Sequence, residues 1–300
     1  MGTLDLGPWV QSGRVFSAEE IAAIRATVAW LPGLARRELA ATLCEHLDWH
    51  TLTGTPKLDA CGELLARLAA AGLLALPAMR PAGRPRRGPP AAPPEAAAET
   101  PLCIPLAALG PVHLEVVPTP EAAVAWDAAV VRWHPLGFKG AFGYRLRYFI
   151  AAGDRRLGCV LLAGAARALA VRDRWIGWDA QACRDNRVRI LNNSRFLIFP
   201  HVQVPHLASH VLGQLARRVR ADWLQHWGFE PLLLETFVDP RHYAGTCYRA
   251  AGWELLGETS GRGLARPGQT YRSTPRQVWV KPLSADWRAR LCAAGGSVRP

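Results

Sequence analysis

Apolar residues recur along this chain at two different periods, and the change from one to the other divides it. The first part keeps a helical spacing. Ser17 stands three residues before Glu20 at the start of an apolar run, the pattern of a capping box, so a helix is expected to begin there. Leu39, Leu43 and Leu47 repeat every four residues and place a second helix over 35–47. A third fits 58–71 and ends at Gly72, after which Leu73-Leu74-Ala75-Leu76-Pro77 reads as a short strand. Three helices, a glycine turn and an apolar strand is the order of a winged helix-turn-helix, whose third helix would enter a major groove. A plain three-helix packing module fits the same pattern, and the third helix offers few cations, Lys57 and Arg67.

From residue 102 onward the pattern mixes strands with helices. Strands are expected over 112–117, 146–151, 157–163, 187–199, 232–237, 253–257 and 277–280, with a polar hairpin turn at 152–156. Helices are expected over 119–133, capped by Thr119, over 205–220 with Leu207, Val211, Leu215 and Val219 on one face, and over 243–251. Trp223 and Trp227 read as a following helical turn. The fold class is therefore α/β in the mixed α+β sense. The expected organisation is a helical, winged-helix-like module (13–78), a linker (79–100), a mixed-sheet domain (101–283) and a C-terminal tail (284–300).

Composition changes this picture in three ways. Arg80, Arg84, Arg86 and Arg87 stand among prolines in the segment 79–100, where proline removes donors and clashes with helix, so an extended linker is expected. The whole chain carries a net charge of +12 and has a pI near 10, which points to a polyanion such as DNA. An arginine-for-lysine bias of a GC-rich genome gives the same charge. The seven cysteines show no C-x-x-C spacing and are odd in number, so neither a zinc ribbon nor a disulfide framework is indicated. With no signal-like start and no run of about 18 apolar residues, a soluble, cytoplasmic protein without a membrane partner is expected.

Several motifs resemble those of a known family. They are His134-Pro135-Leu136-Gly137, Arg172-Asp173-Arg174-Trp175-Ile176-Gly177-Trp178, Asn192-Asn193-Ser194-Arg195-Phe196, Glu235-Thr236-Phe237-Val238-Asp239 and Gly245-Thr246-Cys247-Tyr248-Arg249. Together they are similar to the DruA family, named for a component of the Druantia anti-phage system and also found beside transposase genes. The resemblance spans about residues 13–283 and implies anti-phage defence or mobile-DNA biology, with defence-system or transposase proteins as further partners. Gly252 departs from it, since the family more often places Asn there.

The C-terminal part also resembles the GNAT acetyltransferases. Residues 200–212 overlay their strand-to-helix phosphate loop, and Tyr248-Arg249-Ala250-Ala251-Gly252-Trp253 resembles their Tyr-x-x-x-Gly-Phe segment. The loop's glycine positions hold Val204, His206 and Ala208, however, and Pro205 lacks an N–H. Side chains there obstruct the close approach of backbone to a pyrophosphate, so acetyl-CoA is not the expected cofactor.

Candidate chemistry follows from residue type and position. Asp173, Glu235 and Asp239 lie at the ends of apolar runs. Brought together they could hold Mg²⁺; ion pairing with neighbours such as Arg172 and Arg174 explains them as well. His206 and His210 are four apart and share a helix face, as proton carriers, metal ligands or capping groups. Tyr248 could attack a phosphodiester if a neighbour lowered its pKa, or could pack against a sheet. Arg84, Arg86, Arg87, Arg195 and Arg262 are the candidate phosphate contacts. The leading expectation is a DNA-acting protein. Its rivals are a metal- or tyrosine-dependent strand-cleaving enzyme, an acyltransferase and a non-catalytic scaffold. The site reading requires Asp173, His206, His210, Glu235, Asp239 and Tyr248 to meet on one rim of the sheet.

Overall fold

A computed structural model describes residues 9–51, 56–77, 100–138, 143–166, 168–261 and 274–293. The chain divides into two compact units, one formed mainly by the first 86 residues and the other by most of the remainder.

The first unit starts with a hairpin of β1 (Trp9–Gln11) and β2 (Arg14–Phe16). Its two loop residues, Ser12 and Gly13, both have positive φ, the backbone of a type I′ turn, which matches the twist of paired strands. Three helices follow: α1 (Ala18–Trp30), α2 (Arg36–His46) and α3 (Leu58–Ala70). The capping box is formed, with Glu20 N–H donating to Ser17 Oγ and Ser17 N–H to the Glu20 carboxylate. Phe16, Ile21, Leu39 and Leu68 are fully buried between these elements.

The strand expected over residues 73–77 is not formed. Gly72 takes the left-handed conformation, and the carbonyls of Leu73 and Pro77 accept from the side chains of Arg25 and Arg36. Carbonyls held by guanidinium groups make no ladder. The only strand pair among the described residues of this unit precedes the helices, so the wing expected after the third helix is not seen there.

The second unit is a seven-stranded mixed sheet with helices on both faces. In chain order it runs β3 (Val112–Val116), α4 (Pro120–Trp133), β4 (Arg145–Ala152), β5 (Arg155–Gly164), α5 (Ala170–Ile176), α6 (Ala180–Asn186) and β6 (Ile190–Ile198). It continues with α7 (Leu207–Trp227), β7 (Leu233–Val238), α8 (Thr246–Ala250), β8 (Glu254–Glu258), β9 (Gln277–Pro282) and α9 (Trp287–Cys292). The spatial order is β3-β4-β5-β6-β7-β9-β8, antiparallel throughout except for the parallel pair β6–β7. The long α7 makes the crossover that a parallel pair needs.

Strand alternation assigns the two faces. On β4, Arg147 bonds Asp127 of α4, while its neighbour Tyr148 donates to Asp222 of α7, so α4 and α7 lie on opposite faces. On β9, Val278 and Val280 join Leu169, Ile176, Trp287 and Leu291 in one core cluster, while Trp279 turns to the other face and stacks near Tyr248 of α8. The residues 284–293, within the segment expected as a tail, therefore carry a helix whose Trp287 and Leu291 belong to the core. Gly158 permits a close β5–β6 approach, since a Cβ there would stand 2.1 Å from the carbonyl oxygen of Leu197. All seven cysteines are free thiols. No helix among the described residues is long and apolar enough to cross a membrane.

Candidate functional site

Among the described residues, the pairing of the parallel strands β6 and β7 stops short of both strand ends. Pairing covers only Ile190 to Asn192 against Leu233 to Glu235, although β6 continues to Ile198 and β7 to Val238. Beyond that point the motif Asn193-Ser194-Arg195 lines the parting. Ser194 also falls in a bulge against β5, because Leu161 pairs with Arg195 and Leu162 with Asn193. Bulges of this kind re-aim side chains and are common beside functional sites.

Polar groups here are buried without partners. Asn192 Oδ1, Asn193 Oδ1 and Ser194 Oγ have no hydrogen-bond partner among the described residues. Each such group costs about 1–3 kcal/mol when dry; Asn192, in register with Glu235, lies on one face of the sheet, and Asn193, bonded to Tyr248, on the other. The neighbouring groups are satisfied. Thr236 Oγ1 donates to the Asn193 carbonyl at 3.0 Å, and Asn193 Nδ2 donates to the Tyr248 hydroxyl at 3.4 Å.

Beside these amides the site is cationic. Arg195 donates from Nε to the Gly137 carbonyl at 3.0 Å and from Nη1 to the Ser194 carbonyl at 2.7 Å; among the described residues Nη2 makes no hydrogen bond. Partial burial and then the charge of Arg276 depress its pKa. His134, whose Nδ1 accepts from Leu136 N–H, is lowered to about 4 by burial and then by Arg195, so it is neutral at pH 7. Among the described residues no carboxylate pairs with Arg195 or Arg276. The cluster holds uncompensated positive charge in a partly desolvated place.

The six residues expected to form one site do not converge. Glu235, fully buried on β7, accepts from Arg172 Nη1 at 2.8 Å and from Ala166 N–H at 2.7 Å. Asp173 accepts from the same arginine at 2.8 Å and from Leu169 N–H. Burial opposes the charge on Arg172, but the two carboxylates outweigh it and its pKa is raised. Thus Asp173 and Glu235 do come together, as partners of one buried cation. Asp239 lies past the end of β7 and is held by Arg241, whose bonds keep its carboxyl well below the usual carboxylate range.

Tyr248 belongs to the other face, since it packs beside Thr236 and not beside Glu235. Burial pushes its hydroxyl above the ordinary tyrosine value, the opposite of what a nucleophile needs. His206 caps α7 and His210 lies one turn on, exposed, 2.9 Å from Gln214 Nε2. One rim for all six is corrected to four separate neighbourhoods: Asp173 with Glu235, Asp239 with Arg241, Tyr248 with Asn193, and His206 with His210 at the start of α7. No trio of His, Cys, Asp or Glu among the described residues is placed to hold a metal. Of the five candidate phosphate contacts, Arg195 is at the site; Arg84, Arg86, Arg87 and Arg262 lie outside the described residues.

Sequence reasoning passed over Asn193, Thr236, His134 and Arg276. The signal available was a run of four polar residues, Asn192 to Arg195, inside an otherwise apolar strand.

The family model for Druantia protein DruA matches residues 106–267, which contain the parting strands and every motif that lines them except Arg276. The chain belongs to the DruA family, and so to anti-phage defence. No curated protein matches it. Among solved structures, an acetyltransferase from Bacillus subtilis in complex with CoA is similar at 9% identity and a TM-score of 0.35, over 57% of this chain and 99% of that one. A putative acetyltransferase of the GNAT family from Desulfovibrio desulfuricans gives 14% and 0.36, over 58% and 100%. FeeM, an N-acyl amino acid synthase from uncultured soil microbes, gives 14% and 0.34, over 60% and 94%. These likenesses give the DruA-family chain no activity.

The loop before α7 holds side chains at its turn. His206 adopts φ 66, the left-handed conformation that favours glycine, with a side chain in place. The Leu207 N–H donates to Val204 O, and Pro205 has no N–H to offer a pyrophosphate.

Proposed function

We propose that this DruA-family chain acts in anti-phage defence by binding DNA, and that the open end of the β6–β7 pair is a phosphate contact. One observation carries the reading: Arg195, with Arg276 and the neutral His134 beside it, is partly buried with no carboxylate partner among the described residues. A half-buried guanidinium with a like charge nearby and no counter-ion is stabilised by an anion that completes it. The net charge of +12 supports the same polyanionic partner. A strand-cleaving reading asks for carboxylates free to take a metal, whereas Asp173 and Glu235 are bound to Arg172 and Asp239 to Arg241.

The test is the affinity of the purified full chain for a fluorescent duplex, measured for Arg195→Gln, Arg276→Gln and the hairpin control Arg155→Gln. The first two should weaken binding on the order of tenfold each, as loss of a charge-assisted bond does, and the control should not. Equal affinity in all three variants would overturn the assignment. An acetyl-CoA-dependent rise in melting temperature would turn the reading toward acyl transfer.

A further inference from the structure

A second cationic feature lies away from the parting strands. A cavity of about 350 Å³ opens between α7, the end of α8 and β9, bounded by Gly213, Ala216, Arg217 and Arg220 of α7, by Ala251, and by Lys281 of β9. The α7 residues recur at three- and four-residue steps, which puts them on one face of the helix. Three of the bounding residues have little or no side chain, so the walls are the three cations together with Pro282 and Leu283. A Cβ added to Gly213 would stand 3.5 Å from Arg217 Nη1, which shows the guanidinium folded back across the glycine.

The charges of this cavity are under-compensated. Arg220 pairs with Glu230 at 3.1 Å, but Arg290 shares that carboxylate at 3.2 Å. Arg290 has a further, looser partner in Asp286 at 3.9 Å. Lys281 Nζ donates to a neutral group, the Gly252 carbonyl, at 2.9 Å. Arg217 is exposed and has no carboxylate partner among the described residues. Four cations thus face two carboxylates, and Arg220 Nε is buried with no partner. The arrangement lacks one anion with several acceptor oxygens.

We infer that this cavity seats a phosphodiester group of a nucleic-acid backbone, a second phosphate contact on the unit that carries Arg195. The inference rests on the DNA-binding reading above. Phosphate oxygens can accept from two guanidiniums and an ammonium at once, which a single carboxylate does less well. The lining holds no aromatic ring on which a base could stack, so the group recognised is the backbone and contributes no sequence choice.

The experiment is a salt titration of duplex affinity for the full chain, wild type against Arg217→Gln, Lys281→Gln and their combination, with Arg195→Gln in parallel. Removing one cation from a phosphate should reduce the slope of log affinity against log salt by about 0.9, and the double variant should reduce it by about twice that. Lys281→Gln also breaks the bond to Gly252, so its unfolding midpoint is measured; if it is unstable, Arg217→Gln alone decides. Unchanged slope and affinity in Arg217→Gln, while Arg195→Gln weakens binding, would overturn the cavity and leave the DNA reading standing. A wild-type chain that binds no duplex would remove both. Inorganic phosphate that fully displaces the duplex at millimolar concentration and constant ionic strength would assign the cavity to the free ion and overturn the backbone contact.

Discussion

The guanidinium of Arg172 lies 2.8 Å from the carboxylate of Glu235, and both side chains are wholly buried. Removing one partner strands the other charge inside the sheet. Glu235→Ala should therefore lower unfolding stability by about 3–5 kcal/mol, read as a fall in the urea midpoint. Glu235→Gln keeps an acceptor and should cost less. A double replacement, Arg172→Met with Glu235→Leu, should recover much of the loss. Glu235→Ala at wild-type stability would show that the pair does not hold the fold.

Tyr248 makes a different prediction. Its hydroxyl is buried beside Asn193 and held above its ordinary pKa, so it is protonated at neutral pH. Tyr248→Phe removes the acceptor of Asn193 Nδ2 and should lower stability by about 1–3 kcal/mol while leaving duplex binding as it was. Wild-type chain incubated with single- or double-stranded DNA should form no denaturant-resistant adduct on a gel. An adduct that disappears in Tyr248→Phe would make Tyr248 a nucleophile after all.

His134 gives the fold a pH dependence. Its pKa is about 4 in the folded chain and near 6.5 when exposed. The unfolded state binds the proton more readily, so the stabilising contribution is complete above about pH 6.5 and is lost as pH falls toward about 4. A loss on the order of 2 kcal/mol is expected across that window, after allowance for solvent screening. His134→Asn, whose side-chain oxygen can also accept from Leu136 N–H, should flatten the melting-temperature profile between those values. An unaltered slope in the variant would place the pH dependence elsewhere.

Long periodic segments were legible in the chain, and the short ones were not. The capping box at Ser17 and Glu20, the hairpin β4–β5 and the apolar face of α7 all carry their pattern locally. In contrast α6 has seven residues and α9 six, about two turns or less, too few to show a period. The Ser12-Gly13 turn was a readable hairpin signal, but the strands it joins have three residues each.

The site was harder to read because it depends on where β6 and β7 part, which is a relation between strands. Arg172 and Glu235 are 63 residues apart, so their pairing could be raised from sequence only as one option for each. Glu235 and Tyr248 look like neighbours in the motif order, but alternation along β7 puts Glu235 and Thr236, hence Tyr248, on opposite faces. Arg195 was named from the sequence for its charge. The amides beside it were not, because their lack of partners is visible only in three dimensions.

The most direct measurement is the affinity of the wild-type full chain for a labelled duplex across increasing potassium chloride. Binding led by Arg195 and other cations predicts at least a tenfold fall in affinity between about 50 and 200 mM salt, with a straight line in the logarithmic plot. Binding that stays flat over that range, or no binding at the lowest salt, would contradict phosphate recognition by this chain.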